Sequence, residues 1–387
     1  MSSAPAKPVF HSAHLIRSQP IDVSVEKQPQ GWIVHIKDGG ETRRFRLHHQ
    51  DRQRPLPEAL DAIAFCTLPL ALRSRRMLHI HGPLTRTALR NLRELGEMWS
   101  SWNSEMFSAV DVGCEGVIDN AVSENTSVIA AWSGDLRSTF SIAGGEASLR
   151  DSDFQIGTAV HVLGLAEPAL QDDVLRDVRK AFGSEGVELA LVSTDAAAAG
   201  IIDPTIGVTP IIAAALHLVG HDLASTAIQT ESHPVRSQLI RPRQRPTSGS
   251  FYSGDNLEIL SVGGVESLPQ IVDFLARKPD FAPLVLGCRA TGFNTPRCGH
   301  CDNCKRLDLG LQGAGITLPG DRTPGAFDWN GSDLETEGIL ALNDWSGRLG
   351  PKMQLATRLF RSEISRALSA RAAWQKAMKG EAPPWPR

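Results

Sequence analysis

Four cysteines close together in the second half of the chain are the side chains with the clearest chemistry. They lie in "CRATGFNTPRCGHCDNCKR" as Cys288, Cys298, Cys301 and Cys304. Thiolates at C-x-x-C spacing can hold one tetrahedral zinc ion, and four thiolates leave no position open for catalysis. The spacing therefore predicts a structural zinc site. Two alternatives remain: an iron–sulfur cluster, which uses similar spacing, and four unliganded reduced thiols.

A second segment, "SVIAAWSGDLRSTFSIA" at residues 127–143, combines small and hydroxyl side chains in a pattern suited to binding an anion. Val128 to Trp132 predicts a buried strand, Ser133 and Gly134 predict a turn, and residues 136–143 predict the helix that follows. A strand, a small-residue turn and a helix start direct backbone N–H groups toward an anion such as phosphate. Asp135 and Arg137 are unusual within such a loop.

The elements that must position this loop follow from hydrophobic periodicity. "IDVSVEKQ", "GWIVHIKD" and "ETRRFRLHH" alternate apolar and polar residues, and Asp38-Gly39-Gly40 joins the last two as a hairpin. Residues 56–73 and 85–102 have helical spacing, with the strand "MLHIHGP" between them. Residues 1–124 are therefore predicted to form an N-terminal α+β extension.

From Ser127 onward predicted strands alternate with predicted helices, which is typical of an α/β domain with a parallel sheet and helices on both faces. We assign this domain, with the cysteine cluster as a zinc-binding loop, to residues 125–320. A C-terminal helical segment is predicted over residues 321–387. Because ligands on such sheets bind at the carboxyl ends of the strands, Ser133 is well placed for binding.

Composition limits the class of protein. The chain has 387 residues, ample apolar content and a formal net charge of −3, so a generally basic surface for nucleic acid is disfavoured. We find no signal peptide and no apolar run long enough to span a membrane, which favours the cytoplasm. The oligomeric state is left open, and a homodimer is compatible with the sequence.

The histidines have ordinary structural explanations. His79 and His161 lie in predicted strands and are interpreted as core or rim residues. His217 and His221 have the i, i+4 spacing of a metal pair, but they lack the acidic residue of an H-E-x-x-H motif. A loop with four arginines, Arg236, Arg241, Arg243 and Arg245, is interpreted as solvated.

Taken together, the motifs resemble the 7-cyano-7-deazaguanine synthase family of the PP-loop ATP pyrophosphatases. The resemblance covers about residues 128–313 and rests on a cysteine at a strand end, C-G-x-C-x-x-C followed by Arg306, and the loop "SGDLRST". The family loop would be SGGLDST here. "ESHP" at 231–234 also looks like a Ser-His-Pro segment of synthase-like homologues, and the N-terminal extension is similar to relatives encoded with bacterial antiphage defence systems.

This resemblance implies ATP- and magnesium-dependent adenylation of a 7-deazaguanine carboxylate, as in queuosine biosynthesis, followed by formation of an amide or nitrile or transfer to an amine. The protein would then be a carbon–nitrogen ligase, with a 7-deazaguanine as substrate and a defence-operon protein as partner. Ser232, His233 and Arg306 would contact the substrate. The nucleotide would lie against Ser133, Gly134, Asp135, Arg137, Ser138 and Thr139.

Asp135 and Arg137 leave the activity open, because the family has Gly and Asp at these positions. A carboxylate in contact with phosphate repels it by about 4 kcal/mol at an effective dielectric near 20, or about a thousandfold in affinity. Arg137 could offset this by pairing with Asp135 or with phosphate. Alternatively, the chain is a catalytically degenerate relative that acts as a binding or assembly subunit, or the loop is simply a polar helix cap.

Overall fold

The structure is a computed structural model that describes residues 19–50, 54–119, 127–144, 156–165, 172–230 and 249–262, together with positions 271, 274, 275, 277, 278, 280, 281, 284 and 285. The predicted zinc ligands Cys288, Cys298, Cys301 and Cys304 lie outside the described residues, as do Ser232, His233 and Arg306. The predicted C-terminal segment, 321–387, also lies outside them.

The described residues form ten β-strands, five α-helices and one short 3-10 helix at Gly249–Tyr252. The strands are β1 (Ile21–Gln28), β2 (Gly31–Asp38), β3 (Glu41–His49), β4 (Leu78–Thr85), β5 (Val112–Ile118), β6 (Val128–Ala131), β7 (Ile156–Leu163), β8 (Glu188–Thr194), β9 (Thr226–Thr230) and β10 (Glu258–Val262). The helices are α1 (Asp61–Ser74), α2 (Arg86–Trp102), α3 (Leu136–Ile142), α4 (Asp172–Ser184) and α5 (Thr209–Gly220).

The chain divides into two compact units. The first contains the described residues within 1–125, 192–225 and 245–259, and the second contains those within 126–191, 226–244 and 260–387. The sequence predicted a continuous second domain from residue 125, whereas two later segments group with the N-terminal residues. The physical reason is pairing and packing within the first unit: Val192–Thr194 pair antiparallel with β3, and α5 packs against α1.

In the first unit the strand order is β3-β2-β1-β4-β5. Strands β1, β2 and β3 form antiparallel pairs, while β4 is parallel to both β1 and β5. One face of the sheet is apolar, because alternate residues such as Val23, Val34 and Phe45 are fully buried. Helix α1 begins at Asp61 rather than at residue 56, because Pro57 disfavours the helical conformation for Leu56 and the Leu60 N–H donates to the Pro83 carbonyl at 2.8 Å.

In the second unit the strand order is β10-β9-β6-β7-β8, counting the parts of β8 and β10 that belong to it (188–191 and 260–262), and β6 is parallel to β7 and to β9. The short strand β6 is buried along its whole length, as expected for a central parallel strand. Phe140 of α3 and Phe182 of α4 are fully buried in the same hydrophobic core. Helix α4 begins with Asp172 and Asp173, which suit the positive end of a helix dipole.

The chain is therefore an α/β protein with a large, mixed and mostly parallel β-sheet, which confirms the coarse fold prediction. Strand β5 is not predicted by the residue pattern of this segment. Among the described helices, none combines the length and the apolar character that crossing a membrane requires.

Candidate functional site

The predicted anion loop follows β6, at the point where the strand order reverses. Counted along the second unit, β7 and β8 lie on one side of β6, and β9 and β10 lie on the other. In open α/β sheets, ligands bind outside the carboxyl ends of the strands at such a reversal. Ser133 and Gly134 are thus placed where this architecture binds ligands.

The local backbone explains the turn. Ala131 and Trp132 continue the buried strand with 7% and 1% exposure, and Gly134 then adopts a φ of 76°, which side chains disfavour. Asp135 has extended backbone angles, φ −78° and ψ 170°, and it is the N-cap of α3. Its carboxylate Oδ1 accepts the Ser138 N–H at 2.7 Å, as capping aspartates commonly do.

The hydroxyl groups of the loop are also directed into the protein. Ser138 and Thr139 are fully buried. The Ser138 hydroxyl accepts the Ser133 N–H at 3.2 Å, donates to the Asp135 carbonyl at 3.2 Å and lies 3.1 Å from the Ser133 hydroxyl. Two backbone donors, those of Ser133 and Ser138, are therefore satisfied by side chains of the loop itself.

A second layer behind the loop connects it to β7. The Trp132 indole N–H donates to the Thr139 hydroxyl at 3.2 Å. His161 Nδ1 lies 2.9 Å from the Trp132 carbonyl oxygen, so Nδ1 carries the proton that this contact requires. Burial lowers the pKa of His161 to about 4, and the hydrogen bond to Trp132 opposes that shift only in part. His161 is a core histidine, as the sequence predicted, with 2% exposure.

The contacts of the loop explain Asp135 but do not test the pairing suggested for Arg137. The Asp135 carboxylate accepts the Ser138 N–H, so Asp135 acts as the N-cap of α3. This agrees with the interpretation of the loop as a helix cap. The suggested pairing of Arg137 with Asp135 or with phosphate stays a prediction. Predicted nucleotide contacts of Ser133, Gly134, Ser138 and Thr139 stay predictions as well, although all six residues lie in the turn after β6 and the first turn of α3.

The first unit contains a buried polar network that sequence reasoning missed. Asp61 accepts the Thr85 N–H at 2.8 Å and the Thr85 hydroxyl at 2.6 Å, and the same hydroxyl caps α2 by accepting the Ala88 N–H at 3.2 Å. Burial raises the pKa of Asp61. Burial also lowers the pKa of His217, whose Nε2 donates to the Tyr252 carbonyl at 2.7 Å. These contacts indicate a structural role for His217.

Sequence reasoning also missed a cluster of possible metal ligands. Asp22, His79 and His81 have their ligand atoms within 4.8 Å of one another. The signal available in the sequence was H-x-H in a predicted strand, because residues two apart on a strand lie on the same face. His79 was interpreted as a core or rim residue, and it is half-buried.

No protein-family model matches the chain, and the searches of curated proteins and of solved structures also found no match. The resemblance to the synthase family therefore rests on the motifs quoted above.

Proposed function

We propose that this chain is a synthase-like protein of the PP-loop ATP pyrophosphatase type, with a Rossmann-like second unit, and that its loop no longer performs ATP chemistry. It would act as a binding or assembly subunit, with its four-cysteine zinc site serving structure alone. One observation carries this proposal: the Asp135 carboxylate accepts the Ser138 N–H at 2.7 Å. In a working loop, that region of the helix start is where phosphate oxygens would bind.

A bound phosphate and the Asp135 carboxylate would compete for the same backbone donor. A phosphate reaching the N–H of Ser138 must displace a carboxylate that belongs to the same loop, and a capping side chain contributes about 1 kcal/mol. If the carboxylate stays close to the phosphate, repulsion costs about 4 kcal/mol at an effective dielectric near 20. Together these terms reduce ATP affinity by about a thousandfold or more.

The strand order supports descent from a nucleotide-binding domain. Numbered within the second unit, the order β8-β7-β6-β9-β10 is 3-2-1-4-5, and the loop follows the first strand. Nucleotide-binding α/β folds with this order bind their ligand at the corresponding reversal. A degenerate relative would keep this strand order while side chains of the loop itself occupy its backbone N–H donors. Its partner would be a protein of the same defence system.

ATP-dependent activation of a 7-deazaguanine carboxylate is the second candidate, with ATP and magnesium as cofactors. Retention of Ser133, Gly134, Ser138 and Thr139 at the strand-order reversal favours it. Under this alternative Asp135 would have to leave its cap when nucleotide binds. The two candidates therefore differ in whether the natural chain binds ATP at all.

Calorimetric titration with ATP and magnesium, with and without 7-carboxy-7-deazaguanine, separates them. We expect no micromolar binding by the natural chain and measurable binding by the double variant Asp135→Gly with Arg137→Asp. Asp173→Ala is the matched control, because Asp173 is an acidic residue at the start of α4 and accepts the Val174 N–H at 2.9 Å. Micromolar ATP binding by the natural chain that weakens in the double variant would reject the degenerate function.

A further inference from the structure

The cluster formed by Asp22, His79 and His81 lies on the polar face of the first unit's sheet. Leu78 and Ile80 of β4 are fully buried, so His79 and His81 point to the opposite face. Asp22 is the register partner of His79 on the parallel strand β1, and it alternates with the buried Ile21 and Val23 in the same way. Two strands thus bring three ligand groups together.

His81 lies between two carboxylates, one at each ring nitrogen. Nδ1 is 3.1 Å from Glu115 Oε1, and Nε2 is 3.3 Å from Asp22 Oδ1. A proton on Nδ1 satisfies the contact with Glu115 and leaves the lone pair of Nε2 facing a carboxylate oxygen. A metal ion placed between these two acceptors would make the contact attractive.

The 3.3 Å separation between Nε2 and Oδ1 fits a metal ion. Zinc binds imidazole nitrogen and carboxylate oxygen at about 2.1 Å, so two ligand atoms at tetrahedral angles lie about 3.4 Å apart. Glu115 adds the outer partner that metal-binding histidines usually have, a carboxylate that accepts the remaining ring N–H. The arrangement of Asp22, His81 and Glu115 is therefore that of a ligand pair with its supporting carboxylate.

Space beside His79 comes from a glycine. Gly113 of β5 is the register partner of His79, and a Cβ atom there would lie 3.1 Å from His79 Nδ1 and 2.6 Å from the Met77 side chain. The ring of His79 is already 4.8 Å from that of His81, measured between centroids. The ligand atoms of Asp22, His79 and His81 all lie within 4.8 Å of one another, and the glycine leaves room for the ring of His79.

We propose that Asp22, His79 and His81 bind a zinc ion, with Glu115 hydrogen-bonded to His81 and a fourth coordination position open to solvent. Two imidazoles and one carboxylate favour a borderline transition metal over calcium or magnesium, which prefer oxygen ligands. Three protein ligands with an open position distinguish this site from the closed four-cysteine site predicted at residues 288–304. The proposal is independent of whether the loop after β6 binds ATP.

Zinc titration of the metal-free full-length protein, in competition with a chromophoric chelator, tests the site. The predicted cysteine site would also bind zinc. The test therefore compares the number of zinc equivalents bound by the natural chain and by each variant. We expect the natural chain to bind one more equivalent, with micromolar or tighter affinity, than the variant His79→Gln with His81→Gln. Glu115→Gln should keep the equivalent and weaken its affinity about 10- to 100-fold.

His35→Gln is the matched control, because β1–β2 register places His35 on the same sheet face and it contacts Glu26 at 3.8 Å rather than Asp22. This variant should bind as much zinc as the natural chain. Cobalt gives a second readout, since a histidine and carboxylate site lacks the charge-transfer absorption of cobalt thiolates. Equal zinc stoichiometry in the natural chain and the double-histidine variant, with circular dichroism showing both folded, would overturn the proposal.

Discussion

The buried histidine behind the loop makes the stability of the chain depend on pH in a calculable way. His161 has an ordinary pKa of 6.5 in the unfolded chain and about 4 in the folded one, because burial disfavours its charged form. Its Nε2 is buried without a hydrogen-bond partner among the described residues, so a proton there would have no acceptor. Above pH 6.5 both states hold the neutral ring, and the full stabilisation is present.

As pH falls below 6.5, the unfolded chain binds a proton that the folded chain does not. The folded-state pKa is the lower one, so stability is lost progressively from pH 6.5 toward pH 4. One pKa unit corresponds to 1.36 kcal/mol, and the loss between about pH 7.5 and about pH 5 is therefore about 2 kcal/mol. Only part of the full shift is realised at pH 5.

Replacing His161 with Asn tests this reasoning, because the Asn amide can still donate to the Trp132 carbonyl but does not titrate in this range. We expect His161→Asn to lower stability at both pH values and to remove about 2 kcal/mol of the pH-dependent loss. Urea unfolding followed by circular dichroism at the two pH values measures both quantities. His35→Gln, a change on the polar face of β2, should keep the whole loss.

Two results would refute the argument. One is an equal pH-dependent loss of stability in the natural chain and in His161→Asn. The other is a direct nuclear magnetic resonance titration in which the His161 ring changes charge near pH 6.5 in the folded protein.

Two substitutions in the first unit carry further predictions. Gly31→Ala should destabilise the protein by about 2–3 kcal/mol, because its Cβ would overlap the Leu47 carbonyl and the His48 Cα, which are backbone atoms that cannot yield. Gly40→Ala is its control and should stay within about 0.5 kcal/mol, since a Cβ there meets nothing within 4 Å. Thr85→Val should cost about 3 kcal/mol in urea unfolding, because α2 loses its cap and the buried Asp61 carboxylate loses a donor. Thr42→Val, an exposed change on β3, should have little effect, and an equal loss in both Thr variants would contradict the role of the Asp61 contact.

The sequence predicts the bounds of those strands that have a clear local pattern of residues. Strands β1, β2 and β3 begin and end at the predicted residues, because Asp38-Gly39-Gly40 defines the hairpin between β2 and β3 and buried and more exposed residues largely alternate on both sides of it. Strand β5 lacks such a signal. Gly113 and Gly116 interrupt its apolar pattern, and β4 supplies its pairing at the edge of the first unit's strand order.

The features that the sequence did not predict arise from contacts between residues far apart in the chain. The pairing of Val192–Thr194 with β3 and the packing of α5 against α1 depend on residues far apart in the chain. The same applies to the ligand cluster, because H-x-H identifies His79 and His81 but only the β1–β4 register adds Asp22. Likewise, nothing near Asp61 in the sequence indicates that Thr85 will be its hydrogen-bond partner.

Asp135 opposes phosphate binding in two ways that have the same functional consequence. From the sequence, its carboxylate is a charge that repels a phosphate; in the structure, the same charge accepts the Ser138 N–H that a phosphate would seek. The hydrogen bond depends on the backbone angles of this turn, the φ of 76° at Gly134 and the extended conformation of Asp135. A carboxylate in the same loop competes at high effective concentration with a diffusing nucleotide. ATP can therefore bind only if contacts elsewhere outweigh that competition, and Asp135→Gly removes the competing carboxylate while leaving the residues of β6 and α3 unchanged.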